Sequence, residues 1–206
     1  DKPGATHKGY YWVYHNPVAK AVVFKYEKTR GREGPDKFLS DFSGYLQTDG
    51  YTAYNNLKNS SNIDQLACMA HARRKFEHAK DNDPDKTEYA LKQFAKLYDI
   101  ERDLRENNAD FDEIKKVRQD KSVPILKEFK QWLDENVNYT TPKSAIGKAF
   151  SYTLSLWPRL IKYTENGKFM IDNNLVENSI RPVALGRKNY LFAGSHKSAQ
   201  NAAMIY

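Results

Sequence analysis

Residues 9–29 read GYYWVYHNPVAKAVVFKYEKT, two runs of aromatic and β-branched residues separated by the turn-like pair Asn16-Pro17. Such residues favour extended chain, and a turn between two such runs predicts a β-hairpin. Two further strands are predicted in GYLQTDG (44–50) and in IDQLACMAH (63–71), the latter leading into a basic helix. Strands that interleave with helices predict an α/β layer structure.

From about residue 85 the sequence pattern becomes helical. Apolar residues recur at helical spacing, which predicts three stripes that pack into a core. The chain is therefore expected to comprise a first core part (1–84), an all-α insertion (85–165) and a resumed core with a basic tail (166–206). The stripes are Ala90, Phe94, Leu97 and Leu104, then Ile125, Phe129 and Trp132, then Ile146, Phe150 and Trp157.

The net charge is +7, and its distribution is uneven. Residues 81–135 hold 15 acids and 11 bases, a balance of −4, which leaves +11 for the remainder of the chain. Residues 178–206 contain four Lys or Arg and no acid. A basic body with a mildly acidic middle favours a polyanionic partner at the flanks, although an ordinary solvated surface would also fit.

No apolar run is long enough to cross a bilayer, and the single cysteine, Cys68, has no partner for an internal disulfide. These features predict a cytoplasmic protein without membrane attachment. Cys68 is interpreted as a small buried apolar residue rather than a nucleophile. No CxxC, HExxH, P-loop or GxGxxG motif is present, so a zinc site or a nucleotide cofactor is not expected.

The segment IDNNLVENSIRP (171–182) concentrates polar residues on a predicted helix that Asp172 would cap. Helical spacing puts its amides, its one glutamate and its arginine on one face, opposite Val176, Ile180 and Val183. Asparagine is a poor helix former, so two of them on one face suggest a function. The alternative is a solvated face with a local Glu–Arg pair. The polar face consists of Asn174, Glu177, Asn178 and Arg181.

Asp49 lies at the carboxyl end of a predicted strand, where α/β sheets bind ligands, and Gly50 permits a sharp turn there. The alternative is an ordinary turn aspartate. Together, Asp49 and Glu177 could share Mg²⁺, which prefers oxygen ligands. Two such ions can activate a nucleophile and stabilise the leaving oxygen of a phosphodiester.

Basic residues near these acids are candidates for contacts with a DNA backbone, which would make binding strongly salt-dependent. His71, at the end of its predicted strand, could contact phosphate or be a structural histidine. The candidates are His71, Arg73, Arg74, Arg181, Arg187 and Lys188, with Asn174 and Asn178 on the polar helix face.

Four stretches together resemble the IS66 family of insertion-sequence transposases, and the resemblance runs through nearly the whole chain. They are THKGYYWVYHNP (6–17), YLQTDGYTAYNNL (45–57), ACMAHARRKF (67–76) and IDNNLVENSIRPVALGRKNYLFAGS (171–195). The resemblance implies a DDE transposase with a ribonuclease H-like mixed sheet, flanking helices and a helical insertion. Asp49 would then be the second acid and Glu177 the third, with 127 residues between them, and the two would help to hold two Mg²⁺ or Mn²⁺ ions.

The implied chemistry is attack by water at a transposon end, followed by attack of the freed 3′-hydroxyl on target DNA. The first acid of the family lies in an Asp-Glu-Thr motif upstream of the THKGYYW stretch, so Asp1 is not assigned to it. We therefore expect the first strand to be missing and the chain alone to be inactive. DNA is the expected partner, and a second copy of the chain is a further candidate. A ribonuclease H-like nuclease or resolvase and a non-catalytic DNA-binding module remain alternatives.

Overall fold

The computed structural model describes residues 7–55, 57, 60–189 and 193–205, with backbone only for residues 60, 187–189 and 205. Strands β1–β4 span Tyr10–Asn16, Ala21–Glu27, Gly44–Thr48 and Ile63–Ala67. Helices α1–α9 span Glu33–Phe38, Met69–Glu77, Pro84–Glu106, Phe111–Val117, Val123–Val137, Ala145–Leu160, Asn174–Ser179, Arg181–Asn189 and His196–Ile205.

The chain divides into two compact units. The hairpin unit comprises Asp1–Tyr45, Tyr51–Asp64 and Asn174–Tyr206, and the helical unit comprises Leu46–Gly50 and Gln65–Asn173. Each unit consists of segments that are not consecutive in the sequence, because the chain enters the helical unit twice, at Leu46 and at Gln65. The sequence-based boundaries at residues 84/85 and 165/166 stay a prediction.

The predicted hairpin is confirmed. Strands β1 and β2 pair antiparallel, with Tyr10 opposite Glu27 and Asn16 opposite Ala21. The Asn16 side chain closes the turn, because its Oδ1 accepts hydrogen bonds from the backbone N–H groups of Val18 and Ala19 at 3.1 and 3.0 Å. Such a side chain-to-backbone turn explains why asparagine precedes the reversal.

Both faces of this hairpin are covered within its own unit. On one face, Phe24 packs with Val183 and Ala203 from α8 and α9, and Tyr11 donates a hydrogen bond to the Ala199 carbonyl at 3.1 Å. Side chains alternate along a strand, so Trp12 and Tyr14 lie on the opposite face, which is aromatic. There the ring of Tyr14 stacks on Phe38 of α1 and Trp12 meets Tyr54 edge to face.

Strands β3 and β4 form a second two-stranded sheet, separate from the hairpin. The described residues therefore form two small sheets in a mostly helical α/β protein, and they do not form the single mixed sheet that we expected. Strand β4 ends at Ala67 and α2 begins at Met69, so the predicted strand over 63–71 was too long. Met, Ala, Arg and Lys are good helix formers, and their run after Cys68 explains the early start of the helix.

The helical unit is built around the predicted stripes. Phe94, Phe129 and Phe150 are fully buried, and they surround Phe76 of α2 with ring centroids 5.6–6.3 Å apart. Such offset and edge-to-face pairs stabilise a core beyond the apolar area that they bury. The stripe prediction is confirmed, although Ile125 and Trp132 are only partly buried. Among the described residues, no helix combines the length and the apolar character needed to span a lipid bilayer.

Candidate functional site

Asp49 follows the last residue of β3, and helix α6 fixes its backbone. The Tyr152 hydroxyl donates a hydrogen bond to the Asp49 carbonyl oxygen at 2.8 Å. Burial raises the pKa of Tyr152 to about 12, with smaller contributions from Cys68 and Asp49, so the hydroxyl keeps its proton at neutral pH. The Asp49 side chain is half-buried. A carboxylate is thus held at the end of a strand, as the sequence predicted.

Gly50 has a φ of +81°, and a Cβ there would lie 3.0 Å from the Tyr152 hydroxyl and 3.1 Å from Leu156 Cδ1. We expect Gly50→Ala to lower the unfolding free energy by about 1–3 kcal/mol, because left-handed strain and crowding add. Gly194→Ala is the matched control, since Gly194 has a φ of +71° and open space around its Cβ position. Urea unfolding should show the smaller loss for Gly194→Ala. Equal losses would show that the contact with α6 is unimportant.

Residues 170–173, which we call the anchored segment, lie against β3, β4 and α2 within the helical unit. Gln47 Nε2 donates to the carbonyl oxygens of Met170 and Ala67 at 2.8 and 3.3 Å, and the Met69 N–H donates to the Ile171 oxygen at 3.1 Å. Ile171 is buried in the core of this unit. The start of the IDNN motif is therefore tied to the strand that ends beside Asp49.

Cys68 also touches the anchored segment, and it is completely buried. Its sulfur accepts a hydrogen bond from the Asn173 N–H at 3.4 Å. Burial raises the pKa of the Cys68 thiol to about 11. The prediction that Cys68 is buried is confirmed, and its raised pKa agrees with the interpretation that it is not a nucleophile.

We expect Cys68 in the folded chain to react with a disulfide reagent at least about 100-fold more slowly than in the unfolded chain. A pKa raised to about 11 by itself lowers the thiolate fraction by about that factor, and burial slows access further. Spectrophotometric thiol titration with and without urea measures the difference, with Cys68→Ala as the blank. Fast modification of the folded chain would contradict the burial.

The polar motif helix differs from the prediction at both ends. Helix α7 begins at Asn174, one residue later than predicted, and the Asp172 carboxylate, two residues before it, accepts a hydrogen bond from the Tyr98 hydroxyl at 2.9 Å; its role as a cap stays a prediction. The helix breaks at Ile180 and α8 begins at Arg181. Pro182 explains the break, because it has no N–H to continue the helical hydrogen bonds.

The predicted faces of this helix are only partly correct. Helix α7 packs against β1 in the hairpin unit, and Val183 is buried, but Ile180 at the break is 40% exposed. Glu177 is half-buried, while Asn174, Asn178 and Arg181 are exposed. Arg187 and Lys188 lie in α8, and their side chains are outside the described residues.

The basic residues predicted near Asp49 lie on α2. Arg73 and Arg74 are exposed, and Arg73 forms an ion pair with Glu77 at 2.8 Å. His71 is half-buried in the first turns of α2 rather than at a strand end. A cavity of about 770 Å³ beside Arg73 mixes Lys80 and Lys92 with two acids, so its charge nearly cancels and it does not favour a polyanion.

The two acids suit a hard divalent cation, because carboxylate oxygens are the ligands that Mg²⁺ and Mn²⁺ prefer. Asp49 belongs to the helical unit and Glu177 to the hairpin unit, so their meeting at one cation stays a prediction. Within the described ranges, no group of three or more His, Cys, Asp or Glu side chains could hold a metal ion. A third carboxylate, beside Asp49 and Glu177, would complete the three metal-holding acids that the family resemblance implies.

Sequence reasoning missed the residues that hold these segments in place. Gln47 and Tyr152 contact backbone carbonyls, and Arg118 contacts three of them. Only Tyr98 carried a signal, since it lies one helical turn after Phe94 on the edge of a predicted core stripe.

Comparison with known proteins agrees with the resemblance that the sequence motifs showed. The sequence profile described as "Transposase IS66 family" matches residues 1–201. The uncharacterized protein y4jD of Sinorhizobium fredii is 34% identical over 200 residues, which cover 93% of this chain and 39% of that protein. The uncharacterized protein y4qI of the same organism is 32% identical over 218 residues, covering 98% and 40%. The chain thus spans about two fifths of these relatives. No solved structure matches it significantly.

Proposed function

The chain belongs to the IS66 family of transposases, and on that premise we propose that it forms the catalytic core of a DDE transposase with a ribonuclease H-like fold. Members of this family are polynucleotidyl transferases that act on DNA and typically use divalent metal ions. In this proposal, Asp49 and Glu177 are two of the metal-holding acids. The substrates are the ends of the mobile element and the target DNA.

The anchoring of residues 170–173 is the observation that most supports this pairing. Gln47, two residues before Asp49, binds the Met170 carbonyl, and side chains two residues apart in extended chain share a face. Helix α7 begins one residue after the anchored segment. Glu177 follows Asn173 by four residues, which is about 6 Å of helical rise. The segment that leads into α7 is therefore hydrogen-bonded to the strand that precedes Asp49.

Divalent cations, when bound, would activate the attacking water and stabilise the leaving oxygen. The role of this chain is to hold the metal ions and to keep their ligands in the correct orientation. The Asp49 and Glu177 carboxylates supply oxygen ligands, and Tyr152 fixes the backbone of Asp49. In the first reaction, water oxygen bonds to phosphorus and the bond to the 3′ oxygen breaks. The freed 3′-hydroxyl then attacks target phosphorus and displaces another 3′ oxygen.

Contacts to the DNA backbone are assigned to basic and amide side chains on α2 and on the chain around Glu177. Arg73 and Arg74 lie on α2, which follows β4, and Arg181 begins α8, four residues after Glu177. Phosphate contacts hold DNA without reading its sequence and weaken as salt rises. The other assigned residues are His71, Asn174, Asn178, Arg187 and Lys188.

The test uses the full open reading frame that contains this chain, because the chain spans only about two fifths of the relatives that it matches. Labelled duplexes carrying the genomic sequences that flank the reading frame are incubated with Mg²⁺, with Mn²⁺ or with a chelator. We expect metal-dependent release of a 3′-hydroxyl end and its joining to a plasmid target. Cleavage without joining would favour the nuclease alternative. Binding without cleavage would favour the non-catalytic module.

A further inference from the structure

The anchored segment is held from one side by a tyrosine of the helical insertion. Tyr98 of α3 donates its hydroxyl to Asp172 Oδ2 at 2.9 Å, across 74 positions of sequence. Burial and the negative charge of Asp172 raise the pKa of Tyr98, so the hydroxyl remains a donor. Asp172 stands two residues before α7. The hydrogen bond therefore acts on the last part of the chain before the helix of Glu177.

A buried arginine holds the start of the same region. Arg118 is only 3% exposed and forms a two-pronged ion pair with Glu101 of α3, at 2.7 and 2.6 Å. Its Nη1 donates to the carbonyl oxygens of Tyr163, Asn166 and Phe169, each at 3.0 Å. Arg118 opens a π-helical turn over residues 118–122, a distortion that is frequent at functional sites.

These contacts bracket the anchored segment, since Phe169 precedes it and Asp172 lies within it. Both supports depend on α3, which supplies Tyr98 directly and Glu101 to Arg118. A change in the backbone conformation of residues 172–173 would shift the start of α7 and thereby displace Glu177. Displacement of a reacting group by about 1 Å can cost about 100-fold in rate.

We propose that Tyr98 is a positioning residue for the metal-holding Glu177, with Arg118 as its structural support. The inference rests on the proposed function. It gives the helical insertion a role: α3 fixes the segment through which the chain leaves the helical unit, and thereby fixes where α7 begins.

Tyr98→Phe is the sharpest test, because it removes one hydroxyl and keeps the ring that packs against the core. Tyr89→Phe is the matched control. Tyr89 lies on the same helix and also donates to a carboxylate, that of Glu128 at 3.0 Å, but Glu128 belongs to α5 and not to the anchored segment. Both variants are made in the full open reading frame, and urea unfolding gives the global stability of each, so that exchange and metal binding are compared under conditions where both are folded.

Two measurements distinguish positioning from local structure. Hydrogen exchange of residues 171–178 should be roughly tenfold faster in Tyr98→Phe and unchanged in Tyr89→Phe, as expected for the loss of one hydrogen bond to a charged group. Mn²⁺ binding, followed by electron paramagnetic resonance of the free ion, should weaken about tenfold in Tyr98→Phe alone. The Mn²⁺ concentration for half-maximal cleavage should rise in parallel.

Unchanged exchange in Tyr98→Phe would overturn the proposal, and so would faster exchange with unchanged Mn²⁺ binding. The wild type controls for the proposed function itself. If wild-type Mn²⁺ binding does not depend on Asp49 and Glu177, the proposed function fails and the positioning role falls with it. If it does depend on both acids and Tyr98→Phe matches Tyr89→Phe, only the positioning role fails.

Discussion

Glu177→Gln and Asp49→Asn are each expected to slow metal-dependent strand cleavage at least about 1000-fold in the full open reading frame. An amide keeps the shape of the side chain but removes the negative charge that holds a divalent cation. Metal ions contribute several kcal/mol to transition-state stabilisation in such reactions, and about 4 kcal/mol corresponds to that factor. Single-turnover cleavage of the labelled end duplex measures the rate, and joining should fall with it.

Binding of the same duplex should change little in both variants, because the exposed basic side chains remain. Asp64→Asn is the matched control: Asp64 is an exposed carboxylate on β4 that is not assigned to metal, so its rate should equal the wild-type rate. High Mn²⁺ is expected to restore part of the lost activity, since weaker ligands can be offset by concentration. Wild-type cleavage by either acid variant would refute the assignment of that acid.

Arg118→Met is expected to lower the unfolding free energy by about 3–5 kcal/mol, the usual effect of removing one partner from a buried ion pair. The variant leaves Glu101, only 13% exposed, without its countercharge, and it deprives three carbonyl oxygens of their donor. Methionine roughly fills the space of the aliphatic part, so the loss reports charge and hydrogen bonds rather than a cavity. Urea unfolding monitored by tryptophan fluorescence gives the value.

Arg102→Met provides the comparison, because Arg102 pairs with Asp99 on the same helix but both side chains are about half exposed. Exposed pairs contribute little, so this variant should lose less than about 1 kcal/mol. In the double variant Arg118→Met with Glu101→Leu, the unfolding free energy should fall by less than the sum of the two single decreases. Both charges of the pair are then removed, so no buried charge is left without a partner. A small loss for Arg118→Met would mean that water or another cation replaces the guanidinium.

Local pattern predicted the hairpin and the helical core well. Residues 10–16 and 21–27 are rich in residues that favour extended chain, and the turn residues lie between them. Phe94, Phe129 and Phe150 each belong to an apolar stripe whose helical spacing predicts a buried helix face. Element boundaries were predicted less well. His71 was predicted at a strand end and lies in α2, and α7 begins one residue later than predicted. The strand-to-helix change at Cys68 and the chain before α7 are joined by hydrogen bonds that local sequence does not show.

The sequence by itself determined the family, the main helices and strands, and the two carboxylates that we assign to metal. These follow from side-chain type and short-range spacing, which one strand or helix is enough to express. Only the tertiary structure decided what holds residues 169–173 in place. Gln47 reaches Met170 across 123 positions, Tyr98 reaches Asp172 across 74 and Arg118 reaches Phe169 across 51. Two of these three bonds end on backbone carbonyls, which every residue has, so no sequence pattern could have marked them.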